Sequence, residues 1–342
     1  MAFTSTTYLA GFGAGGQSSN KEDVLDMIVN IDPYDTPFTT SAPKTQARLT
    51  THEWLNDTLE ATSTAGAKEG ADHTGVTAAV RTRITNHTQI FRKDIQVSNT
   101  QRAVNPFGIR DEYAYQIMKA TREISRNIEV SVFGAAGAGI TGSSATARIM
   151  NRLQDYLTTN DPWARGTALQ NSATDATGTS HPIYEGDFNA MLELIYTQGG
   201  NPDAVYVSPA VKRTVSSYGG AVASSTTSAY LELRRDIGAA ERRLIRAINV
   251  YESDFGAVQI VLDRWVPQNA GGGVLSSTNL EGRMFFLERS RNRLAFLRPM
   301  RHIPLAPNGD STRGIVLGEL TLEVLAEKGS GMIQNVHSNS GV

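Results

Sequence analysis

The chain has 342 residues, with 32 Lys and Arg against 34 Asp and Glu for a formal charge of -2, six His and no Cys. That length is ample for a hydrophobic core, in one large domain or two ordinary ones, and the near-neutral balance argues against a protein whose main work is wrapping nucleic acid or an anionic membrane. The missing Cys excludes disulfides, thiolate nucleophiles and Cys-ligated zinc; no run approaches the roughly 18 to 20 apolar residues of a membrane helix, and the first residues show no basic segment ahead of an apolar one, so the chain is expected to be soluble and to stay in the cytoplasm that made it.

The first 46 residues combine a glycine-rich patch (Gly11, Gly13, Gly15, Gly16), a short helical stretch from Lys21 to Val29, and Pro33, Pro37 and Pro43 at intervals that forbid long elements. They read as an arm and not as a domain. From Arg48 to Leu59 the residues alternate, with Leu49, Thr51, Glu53 and Leu55 on one side and Thr50, His52, Trp54 and Asn56 on the other; Val80 to Phe91 alternates again. The two runs predict a long hairpin whose tip is the small-residue stretch Ala61 to Ala79. Neither arm has a clean apolar face, and an isolated two-stranded ribbon is marginal in water, so something else must hold it.

Gly108 to Phe133 carries the strongest helical pattern: Ile109, Tyr113, Ile117, Ala120, Ile124, Ile128 and Val132 form one stripe, opposite Arg110, Lys119, Arg122, Arg126 and Asn127. At 1.5 Å per residue that is a framework helix of about 38 Å. A short helix is expected around Ala147 to Tyr156. Beyond a polar loop, helices and strands alternate: helix from Gly186 to Thr197, strand from Ala204 to Val207, helix from Pro209 to Ser217, helical Tyr230 to Arg235, a hairpin from Ile248 to Val266 turning near Asp254 and Gly256, and paired strands from Arg283 to Leu297. A last long strand lies in GIVLGELTLEVLAE, starting at Gly314, where Ile315, Leu317, Glu319, Thr321 and Glu323 alternate with Val316, Leu320, Leu322 and Val324. No period of 20 to 50 residues repeats, which argues against a solenoid.

Few residues suggest chemistry. The pattern G-x-G-x-x-G occurs at Gly11, Gly13 and Gly16 and at Gly137, Gly139 and Gly142. A dinucleotide site needs a strand before those glycines and a helix opening directly after them; neither match has this context, so linkers are the better reading. The six His lack metal-ligand spacing, and no nucleophile elbow or phosphate-binding P-loop occurs. Two arginine clusters stand out, Arg234, Arg235, Arg242, Arg243 and Arg246, and Arg289, Arg291, Arg293, Arg298 and Arg301. Without interleaved aromatics they read as ion pairs with Glu232, Asp236, Glu241 and Glu288, some of them between subunits, ahead of a phosphate surface.

The order of elements, and the segments HEWLNDTLEA (His52 to Ala61), Glu69-Gly70, TQIFRKDIQVSNTQRAV (Thr88 to Val104), EYAYQIMKATREISRNIE (Glu112 to Glu129), DAVYVSPAVKR (Asp203 to Arg213), VYESDFGAVQIVLDRWVP (Val250 to Pro267), LAFLRP (Leu294 to Pro299) and GDSTRGIVLGELTLEVLAEKGSGMI (Gly309 to Ile333), resemble the major capsid proteins of tailed bacteriophages. The resemblance covers nearly the whole chain. It implies an α+β fold of the Hong Kong 97 type, with an N-terminal arm (1–46), an E-loop hairpin (47–100), a P-domain with its spine helix (101–185), an α/β A-domain (186–299) and a return to the P-domain (300–342). It implies further that the chain assembles into hexamers and pentamers forming an icosahedral head around double-stranded DNA, assembled in the host bacterial cytoplasm and retained in the virion. Portal, scaffolding and decoration proteins are the implied partners; some relatives carry a long N-terminal scaffolding domain, and with the short arm here internal scaffolding is expected either to come from another chain or to be absent. The family brings no catalytic, metal or cofactor residues, so no enzyme activity and no cofactor are expected. A neighbouring subunit would be the missing support of the hairpin, with Trp54, Leu55, Ile84 and Phe91 exposed for docking, Lys68 and Glu69 at the tip, and Arg234, Arg235 and Arg242 as charged contacts; no cross-link through Lys68 is predicted. The alternatives are the shell of a bacterial nanocompartment with the same fold and, last, a nucleotide-dependent enzyme resting on the glycine patterns.

Overall fold

The computed structural model describes residues 32–59, 62, 64, 66, 68–70, 72, 80–104, 108–134, 139–161, 181–216, 248–267, 281–307 and 309–337. In chain order its elements are α1 (Pro37–Ser41), β1 (Lys44–Gln46), β2 (Thr51–Asn56), β3 (Thr82–His87), β4 (Gln89–Ser98), α2 (Asn99–Ala103), α3 (Glu112–Phe133), α4 (Leu153–Tyr156), β5 (His181–Pro182), α5 (Glu185–Thr197), β6 (Ala204–Val207), α6 (Pro209–Val215), β7 (Val250–Ser253), β8 (Gly256–Leu262), β9 (Glu281–Leu287), β10 (Asn292–Leu305), β11 (Ser311–Val324) and β12 (Gly331–His337). The chain divides into two units, a smaller one holding Asp94–Thr121 and His302–Val316 and a larger one holding Tyr34–Lys93, Arg122–Arg301 and Leu317–Val342. No helix among the described residues is long and apolar enough to cross a membrane.

The predicted stripe does form a helix. It begins at Glu112, where the Asp111 side chain accepts the Tyr113 N–H at 3.0 Å, and so later than Gly108. Ala120, Ile124, Ile128 and Val132 are buried, each large aliphatic contributing about 1.5–3 kcal/mol. The helix stops at Gly134, whose φ of +96° suits a residue without Cβ and whose N–H returns to the Val130 carbonyl at 3.1 Å.

The larger unit is organised by a six-stranded mixed sheet of order β5-β12-β9-β6-β8-β7. All four residues of β6 are buried, as its apolar run requires of a strand with neighbours on both sides. Phe188, Met191, Leu192 and Ile195 of α5 and Val211 and Val215 of α6 pack with Val205, Val207, Ile260, Met284, Phe286, Ile333 and Val336 of the sheet into one core. Asp187, in the first turn of α5, accepts the Tyr184 N–H at 3.0 Å, and Pro209 opens α6. The expected hairpin is β7 and β8, paired antiparallel with Ser253 opposite Gly256, whose φ is +129°.

A four-stranded sheet has the order β1-β10-β11-β4, with β1 parallel to β10 and Lys44 opposite Leu294. Two expectations are corrected here. The strands read as a pair within Arg283 to Leu297 separate, β9 joining the six-stranded sheet and β10 the four-stranded one. The tail strand does not alternate, because β11 is covered on both faces along its second half. Within the first 46 residues, Phe38 and Ala42 are buried, and Phe38 packs edge-on against Phe133 and Tyr206 at 5.5 and 5.7 Å. In the smaller unit, Asn99 bonds Asp310 at 2.7 Å, Arg102 bonds Thr312 at 3.1 Å, and the Tyr113 hydroxyl meets His302 Nε2 at 2.9 Å.

Candidate intersubunit surface

β2 and β3 form a two-stranded antiparallel ribbon with Trp54 opposite Ile84 and His52 opposite Asn86. Period-two geometry therefore puts His52, Trp54, Ile84 and Asn86 on one face and Glu53, Leu55, Arg83 and Thr85 on the other. The first face is turned to the chain's own body. Asn86 is fully buried; its Nδ2 donates to the Leu322 carbonyl at 2.7 Å, and its Oδ1 accepts the N–H groups of Asn151 and His87, both at 2.8 Å. Trp54 lies between His52 and Tyr156, with ring centroids 5.8 and 5.9 Å away. The Tyr156 hydroxyl donates to the Thr85 carbonyl at 2.8 Å, and burial raises the pKa of this phenol. His52 Nε2 stands 3.5 Å from Glu323 Oε2, which also accepts from Thr45 Oγ1 at 2.9 Å.

The predicted second arm, Val80 to Phe91, is interrupted at Thr88. Thr88 donates its N–H to the Thr50 carbonyl at 2.8 Å and its hydroxyl to Glu319 at 2.7 Å, while its carbonyl accepts from Arg148 Nε at 3.2 Å. With those groups taken, the ribbon ends at His87 and β4 starts at Gln89 in another sheet. Glu319 is the centre of this junction: its side chain is 4% exposed, and it receives Arg148 Nη2 at 2.8 Å and Arg298 Nη2 at 2.7 Å. Burial by itself raises a carboxyl pKa. Here the bonds from Thr88 and Arg298 and the charges of Arg298 and Arg148 outweigh it, holding Glu319 below its ordinary value.

The expectation that the ribbon exposes all its apolar residues is corrected. Trp54 is only 8% exposed and Phe91 only 5%, the latter because it lies in β4 and not in the ribbon, and Ile84 is half-buried. Leu55, at 59%, is exposed as expected. Leu49, Leu59 and Val80, which the sequence reading did not single out, are 72, 98 and 92% exposed. Lys68 and Glu69 lie exposed in the connection between β2 and β3. Arg234, Arg235 and Arg242 fall outside the described residues, as do Gly11, Gly13, Gly16 and Gly137. In the second arginine cluster, Arg289 faces Asp203 at 3.5 Å, Arg291 faces Glu288 at 2.9 Å and Arg298 holds Glu319, so ion pairing is the observed state of these three. Gly139 and Gly142 follow a helix, and Gly142 has a φ of +83°. The residues that sequence reasoning missed are Asn86, Glu319 and Glu323, polar positions within strand-like patterns whose burial no local signal announces.

The model of the SU10 major capsid protein family matches residues 4–337. The major capsid protein of Escherichia phage Phieco32 is 24% identical over 290 residues, covering 74% of this chain and 80% of that protein. Among solved structures, the capsid asymmetric unit of cyanophage A-1(L) is 14% identical, covers 93% of this chain and 97% of its own, and has a TM-score of 0.65. The SrpI encapsulin of Synechococcus elongatus PCC 7942 is 10% identical, with 94% of both chains covered and a TM-score of 0.50. These likenesses are to one fold, the Hong Kong 97 type, α+β as expected. A chain with a rooted ribbon, a spine helix and a mixed α/β sheet, matched nearly end to end, belongs to the SU10 major capsid protein family.

Proposed function

We propose that this chain builds the shell of a phage head, assembling as hexamers and pentamers into a closed icosahedral lattice around double-stranded DNA. The observation that carries the proposal is the asymmetry of the ribbon. One face of it is bonded into its own chain, while Leu55 on the other face, and Leu59 and Val80 past its outer end, are exposed to solvent. Burying a Leu or Val contributes about 1.5–3 kcal/mol, so a neighbouring subunit that covers this end gains several kcal/mol per contact before the costs of association. In this reading residues 1–46 are the arm, 47–100 the E-loop, 101–185 and 300–342 the P-domain, and 186–299 the A-domain. Lys68, Glu69, Arg234, Arg235 and Arg242 are further contacts, and portal, scaffolding and decoration proteins come from other chains. Assembly takes place in the host bacterial cytoplasm, and the chain performs no catalysis and takes no cofactor.

Deletion of residues 62 to 78 tests the proposal. Because the bonds of the root lie outside the deletion, the subunit should keep its helical content and unfold cooperatively, yet form no closed particles by electron microscopy. Normal assembly of the deleted chain overturns the contact, and an unfolded chain shows that the tip belongs to the core. The likeness to an encapsulin supports a second reading, a nanocompartment shell; particles purified with a cargo enzyme in place of DNA would favour it.

A further inference from the structure

Residues 34–41 are gripped from one face of α3. Arg122, Arg126 and Glu129 follow one another at the four- and three-residue spacing that puts side chains on one side of a helix, and each takes part in a grip on this segment. The Arg122 guanidinium stacks over the Tyr34 ring, 4.9 Å from its centroid. Arg126 stacks over the Trp265 ring at 5.6 Å, and Trp265 Nε1 donates to the Asp35 carbonyl at 2.8 Å. Glu129 is fully buried, and both of its oxygens serve the start of α1: Oε1 accepts the Phe38 N–H at 2.7 Å, and Oε2 accepts the Thr39 N–H at 2.7 Å together with the Thr39 hydroxyl. Beyond them the Phe38 ring rests edge-on against Phe133 and Tyr206, and Ser41 Oγ meets the Tyr206 hydroxyl at 2.8 Å.

The apolar share of this hold is small. Of residues 34–42 only Phe38 and Ala42 are buried, and Tyr34 is 57% exposed. A helix of five residues does not persist by itself, because fixing its first turn costs more than its few hydrogen bonds contribute. The Glu129 contact is all-or-none. A carboxylate near the C-terminal end of α3 is opposed by the helix dipole, and in a closed site it is tolerated only while its donors stay; once one leaves, water must enter and the others follow. A few residues on, the chain is fixed differently. The Leu294 N–H donates to the Pro43 carbonyl at 3.0 Å, and from Lys44 the chain runs as β1 beside β10. Ala42 and Pro43 thus mark a hinge between a weakly buried segment and a sheet ladder.

We propose that residues 34–41 are a strap that opens from α3 as one unit, with Glu129 as its fastening, while the six-stranded sheet stays folded. Closed, the chain enters the larger unit at Tyr34. Open, it enters at Pro43, and residues 34–42 in extended form reach about 30 Å further. The strap thereby sets how far the residues ahead of it can extend. It belongs to the subunit itself and does not rest on the shell proposal.

Native-state hydrogen exchange of the full-length chain tests it. The Phe38 and Thr39 amides should share one opening constant, at least about 100-fold larger than that of the Val205 and Val207 amides in β6. Tyr34→Ala removes an exposed ring four residues before Phe38; with the strap opening as a unit, both amides should still exchange about threefold faster. Glu129→Gln, which turns an amide donor toward groups that are themselves donors, should speed them at least about tenfold. Opening constants for Phe38 and Thr39 no larger than those of Val205 and Val207, or unchanged in Tyr34→Ala, overturn the strap. Complete lack of protection at these two amides does the same. If Glu129→Gln does not fold, the unmodified chain and Tyr34→Ala decide by those criteria.

Discussion

Glu319 shows how much one side chain can gather. It joins Thr88 at the ribbon root, Arg148 in the segment after α3, and Arg298 on β10. Replacing it with Gln leaves two arginines facing a neutral amide in a site closed to water. Breaking a buried ion pair costs about 3–5 kcal/mol, and the partial exposure of both arginines, 31 and 41%, moves the expectation to about 2–3 kcal/mol. The sign with pH follows from the depressed pKa: stabilisation by Glu319 is present above the ordinary carboxylate value and is lost as pH falls through the lower folded value. Denaturant unfolding of Glu319→Gln should therefore show the deficit at pH 7 and a closing gap below about pH 4. A constant gap at all pH values would mean that lost packing, and not charge, is responsible.

At the scale of the element, the ribbon has two ends with different energetics. Trp54 sits in the root among His52, Tyr156 and Ile84 and is 8% exposed. Trp54→Ala should cost about 3 kcal/mol of subunit stability, read from the denaturation midpoint. One residue on, Leu55 points the other way and is 59% exposed, so Leu55→Ser should leave stability within about 0.5 kcal/mol. The same change should slow or abolish particle formation followed by light scattering. A stable Trp54→Ala variant contradicts the root; a Leu55→Ser chain that assembles at the normal rate contradicts the outer end as a docking site.

For the whole molecule the deciding quantity is charge. The net value is -2, and three members of one arginine cluster are paired, Arg289 with Asp203, Arg291 with Glu288 and Arg298 with Glu319. Affinity for DNA rises with the number of phosphates that unpaired Lys and Arg neutralise, and the dependence on salt rises with it. The free subunit should accordingly bind DNA weakly, with a shallow slope of log affinity against log salt in fluorescence anisotropy. A slope equivalent to about six or more phosphates would show that the arginines form a phosphate surface after all. A shell that encloses DNA needs no such surface, because confinement and not adhesion retains the genome.

What the sequence determined by itself was whatever depends on neighbours in the chain. The stripe from Ile109 to Val132 specified a helix because 3.6-residue periodicity is local, and the alternation around His52 and Trp54 specified a strand for the same reason. The order of the matched segments carried the family, and the formal charge followed from counting. The tertiary structure alone decided which face of the ribbon is inside, since that depends on Leu322, Asn151 and Tyr156 arriving from distant parts of the chain. It likewise decided that Phe91 leaves the ribbon for a sheet, and that residues 34–47 are packed into the larger unit. The role of Glu319 was illegible for one physical reason: a buried carboxyl is tolerated only with donors supplied across space, and no periodicity in the chain records where those come from.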